Sequence, residues 1–153
     1  MGLCCAKKPP AFMRATSSPS CQVGMKIMVS TQFQTITGEN LSYTPTISIG
    51  AGPRIVKDGA VYGGYSTYRQ EGFSDGVTSG NAERVCVGIQ DNGSLVILEA
   101  SASVPPLAQL MVAFGCRDAV NLDGGGSVNL YVDGYWLYGP QSRPLNSMLY
   151  FTK

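Results

Sequence analysis

A β-hairpin signal in the middle of the chain constrains the fold most. Val85, Val87 and Ile89 recur at every second position, as they would on one face of a strand. The Asp91-Asn92-Gly93 turn follows, and residues 95–98 then form an apolar run that predicts a buried return strand. The chain is therefore expected to build an antiparallel sheet around this pair.

One amphipathic helix is predicted directly after the hairpin. Ser103 is suited to cap it, its first turn tolerates Pro105 and Pro106, and Gly115 is suited to end it. Its expected apolar face consists of Leu107, Leu110, Met111 and Phe114. This helix would cover one face of the sheet.

The rest of the chain favours further strands and tight turns. The 19 glycines and the 14% of charged residues suit a β-rich domain better than a helical bundle. A long loop is expected over residues 62–81. A weak strand-like alternation covers residues 25–37, and residues 44–56 are expected to be extended. The further predicted strands are residues 119–122, 128–132, 135–138 and 145–151. The predicted fold class is α+β, with a mixed or antiparallel sheet, β-hairpins and one main amphipathic helix packed on it.

Length and local composition predict one domain behind a leader. A chain of 153 residues can bury one core. Residues 1–24 are rich in Pro, Ser and Lys and show no apolar period, so we expect a disordered or atypical leader there, with the domain over residues 25–153. The leader lacks the apolar core of a signal peptide, and no run reaches the roughly 18 apolar residues of a transmembrane helix.

Composition also excludes several functions. The formal net charge is +1 and the basic residues are scattered, so nucleic acid is not an expected partner. The chain has no histidine, which excludes a Ser-His-Asp triad and histidine-containing zinc sites. The five cysteines are an odd number, and Cys86 and Cys116 lie in apolar segments where buried free thiols are expected.

The segment Asp123-Gly124-Gly125-Gly126-Ser127 is the strongest candidate site. Three successive glycines can leave backbone N–H groups open to an anion, with a carboxylate before them and a hydroxyl after them. A sharp corner between two strands is the alternative interpretation. The segment is not a nucleotide P-loop, because no Gly-Lys-Ser/Thr follows it.

Four sequence blocks together resemble the phosphodiester glycosidase family, over about residue 47 to the end of the chain. Residues 121–127, Asn-Leu-Asp-Gly-Gly-Gly-Ser, form the most specific block. The other three are Ile-Gly-Ala-Gly-Pro-Arg-Ile-Val-Lys-Asp-Gly at residues 49–59, Glu-Arg-Val-Cys-Val-Gly-Ile at 83–89 and Arg-Pro-Leu-Asn at 143–146. The resemblance implies a hydrolase that cleaves the glycosidic bond of a sugar-1-phosphodiester.

The site residues follow from this resemblance and from the chemistry of the leaving group. A phosphate monoester leaves readily, so one carboxylate with good anion contacts is sufficient. Asp123 is expected to activate water or stabilise the transition state, while Arg84 and Arg143 hold the phosphate. The expected substrate-binding residues are Gly124, Gly125, Gly126, Ser127 and Asn146. The alternatives are that Arg84 is a solvated edge charge, that Arg143 anchors a loop and that Asn146 caps a turn.

The resemblance leaves a second class of function open. The family usually carries an upstream block with an Asn-Gly-Gly-Phe-Phe-like stretch, and residues 1–43 show no counterpart, so this chain is expected to correspond to the C-terminal part of the domain. A non-catalytic carbohydrate-binding or remnant domain is therefore the alternative, and a transferase is not separated from a hydrolase. Aromatic residues in the 62–73 loop and around Trp136 are expected to serve packing rather than a sugar-stacking wall.

Partners and location are implied by the family as well. The expected partner is a sugar phosphodiester or a phosphate-containing glycopolymer, in an extracellular or cell-envelope location. No cofactor and no metal are expected, because a single carboxylate at Asp123 is weak support for a divalent ion.

Overall fold

The computed structural model of the protein describes residues 23–26, 33–34, 38–45, 49–140, 143–145 and 148–151. Within these residues it is α+β, as predicted. Its elements are β1 (Arg54–Lys57), β2 (Ala60–Val61), α1 (Tyr65–Gln70), α2 (Asp75–Thr78), β3 (Ala82–Gln90), β4 (Leu95–Ala102), α3 (Val104–Ala113), β5 (Cys116–Gly124), a 3-10 turn (Gly125–Ser127), β6 (Leu130–Val132) and β7 (Tyr135–Tyr138).

A five-stranded antiparallel sheet forms the centre, in the order β2-β1-β5-β3-β4. The predicted hairpin is confirmed as β3 and β4, with Ile89 opposite Leu95 next to the turn. Strand β3 is buried from Arg84 to Ile89, which fits its place between two neighbours. Strand β5 also lies between two neighbours, so the segment that leads into the glycine loop is fixed on both edges.

Helix α3 packs on one face of this sheet, at the predicted position but with a different face inward. Val104, Leu107, Ala108 and Met111 are fully buried, whereas Leu110 and Phe114 are 42% and 50% exposed. The prediction that Leu110 and Phe114 belong to the buried face is therefore wrong. Ser103 stands at the N-cap position, but its side chain makes no capping hydrogen bond.

The hairpin β6–β7 covers part of the opposite face. Val85 and Val87 of β3 form a small cluster there with Val128, and Leu122 and Tyr138 pack against it. The main core lies on the helix side and includes both buried free thiols, Cys86 and Cys116, as predicted.

Three local predictions differ from the structure. The expected loop over residues 62–81 contains the two short helices α1 and α2, and Tyr68 of α1 is fully buried in the core. Strand β4 is buried on one face only: Leu95 and Ile97 are 48% and 40% exposed, whereas Val96 and Leu98 pack against the main core. The predicted strand over residues 145–151 is absent from its described part, residues 145 and 148–151.

Other predictions fall largely outside the described residues. Most of the 1–24 leader and most of the weak 25–37 strand lie there. The segment 44–56, which was predicted to be extended, is described only in part, and its regular strand begins at Arg54.

Candidate functional site

Asp123 lies at the exposed end of the central strand β5, where the chain leaves the sheet. The amide of Gly124 donates a hydrogen bond to its Oδ1 atom, at 3.0 Å. This contact holds the carboxylate against the first amide of the glycine segment, because a charged acceptor strengthens such a bond. The sheet therefore presents a carboxylate, oriented by the backbone, at the predicted position.

The glycines after Asp123 form a single tight turn. Residues 125–127 make one turn of 3-10 helix, closed by a 3.0 Å hydrogen bond from the Val128 amide to the Gly125 carbonyl. Gly125 has a φ angle of +58°, a conformation that side chains with a Cβ atom rarely adopt. Gly126 is exposed at the outside of the turn. This tight turn between β5 and β6 is the corner that the alternative interpretation expects, and the binding of an anion by its amides stays a prediction.

Arg84 lies beneath this turn and is buried rather than solvated. It is the register partner of Gly124 across β3 and β5, and it is 4% exposed. Its Nε atom donates to the Ala102 carbonyl at 2.9 Å and its Nη2 atom to the Gly80 carbonyl at 3.0 Å. The alternative of a solvated edge charge is therefore wrong.

The remaining nitrogen of Arg84, Nη1, faces the glycine segment. A Cβ atom on Gly124 would lie 3.5 Å from it and 2.9 Å from the Glu83 carbonyl. Only a residue without a side chain permits this approach of β5 to β3. Arg84, Asp123 and Gly124 are thus brought together at one end of the sheet.

Arg143 joins the same place from a distant part of the chain. Its Nη2 atom donates a hydrogen bond to the Ser127 Oγ atom, the last residue of the turn, and both side chains are in an exposed region. This contact places a guanidinium beside the glycine turn, which fits the loop-anchoring alternative as well, so the phosphate role of Arg143 stays a prediction. Asn146, the remaining predicted site residue, lies outside the described residues.

Asn121 is a residue of this region that the sequence reasoning did not select. It is 1% exposed and stands on β5 two positions before Asp123. A polar side chain between the apolar Val120 and Leu122 was the available signal, since buried polar groups need hydrogen-bond partners.

A second polar group lies near the β1–β2 edge. The Arg54 guanidinium stands 5.8 Å from the centre of the Tyr62 ring. Burial raises the pKa of the Glu71 carboxyl, against the lowering effects of a Tyr62 hydrogen bond and of Arg54. Burial, with the Glu71 charge second, raises the pKa of Tyr68 to about 12, and its hydroxyl has no hydrogen-bond partner among the described residues. The carboxyl of this second group, Glu71, is partly buried, whereas Asp123 beside the glycine turn is exposed.

The described part of the chain holds neither a candidate metal cluster nor a helix that could cross a membrane. There, His, Cys, Asp and Glu side chains do not come together in a group of three that could hold a metal ion. In the same residues, every helix is too short or too polar to cross a membrane.

The sequence matches one family of proteins over most of its length. A sequence model of the phosphodiester glycosidase family matches residues 21–152, so the chain belongs to that family. Among solved structures, it is similar to the crystal structure of a hypothetical protein from Synechocystis, at 30% identity and a TM-score of 0.52. That match covers 58% of this chain and 17% of the Synechocystis chain. A search of curated proteins gave no match.

Proposed function

We propose that the protein hydrolyses the bond between the anomeric carbon of a sugar and the oxygen of a phosphodiester. The observation that carries this proposal is the convergence of the Asp123 carboxylate, the glycine turn and the Arg143 guanidinium at one end of the sheet. A carboxylate serves proton transfer, whereas amides and a guanidinium serve an anion. Cleavage of the bond between a sugar and a phosphate needs both, because the anomeric carbon that water attacks lies within a few ångströms of the anionic phosphate.

In the proposed reaction the carboxylate accepts a proton and the anion-binding groups stabilise the leaving phosphate. The oxygen of water forms a bond to the anomeric carbon while the bond from that carbon to the phosphate oxygen breaks. Asp123 takes the proton of the water, and the phosphate monoester leaves with the electron pair of the broken bond. The negative charge that grows on the phosphate is stabilised by the guanidinium groups of Arg143 and Arg84, by the Ser127 hydroxyl and by the amides of residues 125 and 126. A free sugar and a phosphate monoester are the products.

Release of free sugar from synthetic diesters tests this proposal. The substrates are the methyl phosphodiesters of N-acetylglucosamine, glucose and mannose, each linked through its anomeric carbon, with and without added divalent ions. We expect Asp123→Asn to lower kcat on the order of 100-fold or more, because the side chain keeps its shape and loses the base. Asp58→Asn is the matched control, since Asp58 lies in the β1–β2 turn and should leave the rate unchanged.

Two results would count against hydrolysis. One is equal activity of Asp123→Asn and the parent protein. The other is the absence of sugar release from a folded parent protein across the whole panel. In the second case, retained binding of the diesters would favour the non-catalytic carbohydrate-binding alternative.

Arg143 gives a separate test of the phosphate contact. Arg143→Lys keeps the charge and removes the planar fork that donates to Ser127. We expect KM for the diester to rise about tenfold, with a smaller change in binding of the free sugar. An equal loss for both ligands would contradict a phosphate role for Arg143.

A further inference from the structure

Asn121 connects the strand that carries Asp123 to a segment far away in the sequence. Its amide nitrogen, Nδ2, donates to the Leu122 carbonyl at 2.7 Å and to the Gly52 carbonyl at 3.3 Å. Gly52 precedes Asn121 by 69 residues. The Leu122 carbonyl belongs to the peptide bond that joins Leu122 to Asp123, so the Asn121 side chain contacts the backbone directly before the candidate carboxylate.

The orientation of the Asn121 side chain is determined by its surroundings. Both N–H groups meet carbonyl oxygens, which only accept hydrogen bonds, while Oδ1 lies 3.9 Å from the Cys86 thiol. Exchanging the amide nitrogen and oxygen would set an acceptor against two acceptors. The buried amide therefore has one favourable orientation.

The backbone of Asn121 reinforces the same connection. Its carbonyl accepts a 2.8 Å hydrogen bond from the Gly52 amide, and its own amide donates to the Pro53 carbonyl at 3.0 Å. The backbone pairing aligns the two segments, and the side chain adds a third contact that also reaches Leu122. Of these contacts of Asn121, the side-chain hydrogen bond to the Leu122 carbonyl is the one that holds the peptide before Asp123.

We propose that Asn121 is a positioning residue for Asp123, an inference that rests on the proposed hydrolysis. It fixes the Leu122–Asp123 peptide from one side, while the Gly124 amide holds the Asp123 Oδ1 atom from the other. Loss of the Asn121 amide frees this peptide to rotate, so Asp123 spends less time in its productive orientation. Asn121 is buried and does not touch the substrate.

The test combines kinetics with amide hydrogen exchange measured by NMR. In Asn121→Ala we expect kcat for the diester to fall at least about tenfold, with KM changed less than about threefold. Exchange of the Gly124 amide should become at least about tenfold faster, while the amide of Val87, in the same sheet, keeps its rate. The exchange measurement needs no activity, so it distinguishes a failure of the Asn121 contact from a failure of the proposed hydrolysis.

Cys86→Ala is the matched control. It removes the third neighbour of the same buried amide and leaves both carbonyl contacts in place. We expect kcat and Gly124 exchange to stay within about twofold of the parent values. An equal loss in this variant, or exchange that accelerates as much at Val87 as at Gly124, would show ordinary core packing and overturn the inference. Unchanged kcat and exchange in Asn121→Ala would overturn it as well.

Asn121→Asp supplies a rescue experiment. Its carboxylate would face two carbonyl oxygens, so the contact is lost at neutral pH. Protonation restores one donor, and burial favours the protonated form. We compare Gly124 exchange in each variant with that of the parent protein at the same pH. The ratio of the two rates should fall toward one in Asn121→Asp as the pH falls, and it should stay constant in Asn121→Ala. If Asn121→Ala does not fold, this pH dependence decides the inference, and its absence overturns the proposal.

Discussion

Gly124 shows at the scale of one residue why the site motif needs glycine. A Cβ atom there would lie 2.9 Å from the Glu83 carbonyl, closer than such contacts occur in proteins. We expect Gly124→Ala to lower the free energy of unfolding by about 1–3 kcal/mol, because β5 must move away from β3. Urea denaturation of the two proteins measures the difference.

The neighbouring glycines provide graded controls for this prediction. Gly126 has open space around it and no positive φ angle, so Gly126→Ala should leave the stability nearly unchanged. Gly125 also has open space but a φ angle of +58°, and Gly125→Ala should cost about 1 kcal/mol. Equal effects of all three substitutions would contradict a specific close approach at Gly124.

Tyr68 predicts how stability depends on alkaline pH. Its pKa is about 12 in the folded protein and 10.0 without the fold, so the folded state favours the protonated hydroxyl. The unfolded chain loses this proton first, and stability should therefore fall between pH 10 and about 12, by about 1.4 kcal/mol per pH unit from this residue. Denaturation curves of Tyr68→Phe should show a correspondingly flatter decline. Parallel declines in the two proteins would contradict the prediction.

Helix α3 illustrates at the scale of an element how a sequence pattern can place a helix and mistake its inner face. The predicted face and the observed face both follow the i, i+3, i+4, i+7 spacing, displaced by three residues, and they share Leu107 and Met111. The pattern alone does not separate two such stripes. The contacts with the sheet decide between them.

A pair of identical substitutions tests that assignment. Leu107 is fully buried and Leu110 is 42% exposed on the same helix. Leu107→Ala should lower the free energy of unfolding by about 2–5 kcal/mol, whereas Leu110→Ala should change it by about 0.5 kcal/mol. Thermal or urea unfolding measures both. Because Leu107 belongs to both faces, an effect at Leu110 as large as the effect at Leu107 would show that the inner face is the one predicted from the sequence.

Local residue patterns could predict one part of the candidate site and could not predict another part. The Asp123 loop was predicted because its chemistry lies within five consecutive residues. The burial of Arg84 depends on the Gly80 and Ala102 carbonyls, and the contacts of Asn121 depend on Gly52. Such contacts follow from strand order, which local residue patterns do not determine.

At the scale of the whole molecule, the described residues form two unequal parts, a five-stranded sheet with its helices and a two-stranded hairpin. Two strands alone are marginally stable in water. The protein has one tryptophan, Trp136, which lies in this hairpin, is 49% exposed and packs edge-on against Tyr131 with ring centres 5.0 Å apart. Its fluorescence therefore reports on the smaller part alone.

We expect this fluorescence to change at a lower urea concentration than the far-ultraviolet circular dichroism of the sheet, because the hairpin opens first. Val128→Ala should widen the gap, since Val128 packs between the hairpin and Val85 and Val87. Coincident transitions for both signals, in both proteins, would show that the two parts unfold as one unit.

The pairing of Gly52 with Asn121 has a consequence for the order of events during folding. Its partners are 69 residues apart, so a long loop must close before Asp123 has its neighbours. The β3–β4 hairpin needs only a short turn and can form far sooner. On a ribosome, β5 emerges after every other strand of the large sheet and must insert between β1 and β3. The candidate site would then be among the last features of the sheet to take shape, and a chain cut between residues 52 and 121 would need its two pieces to reassociate.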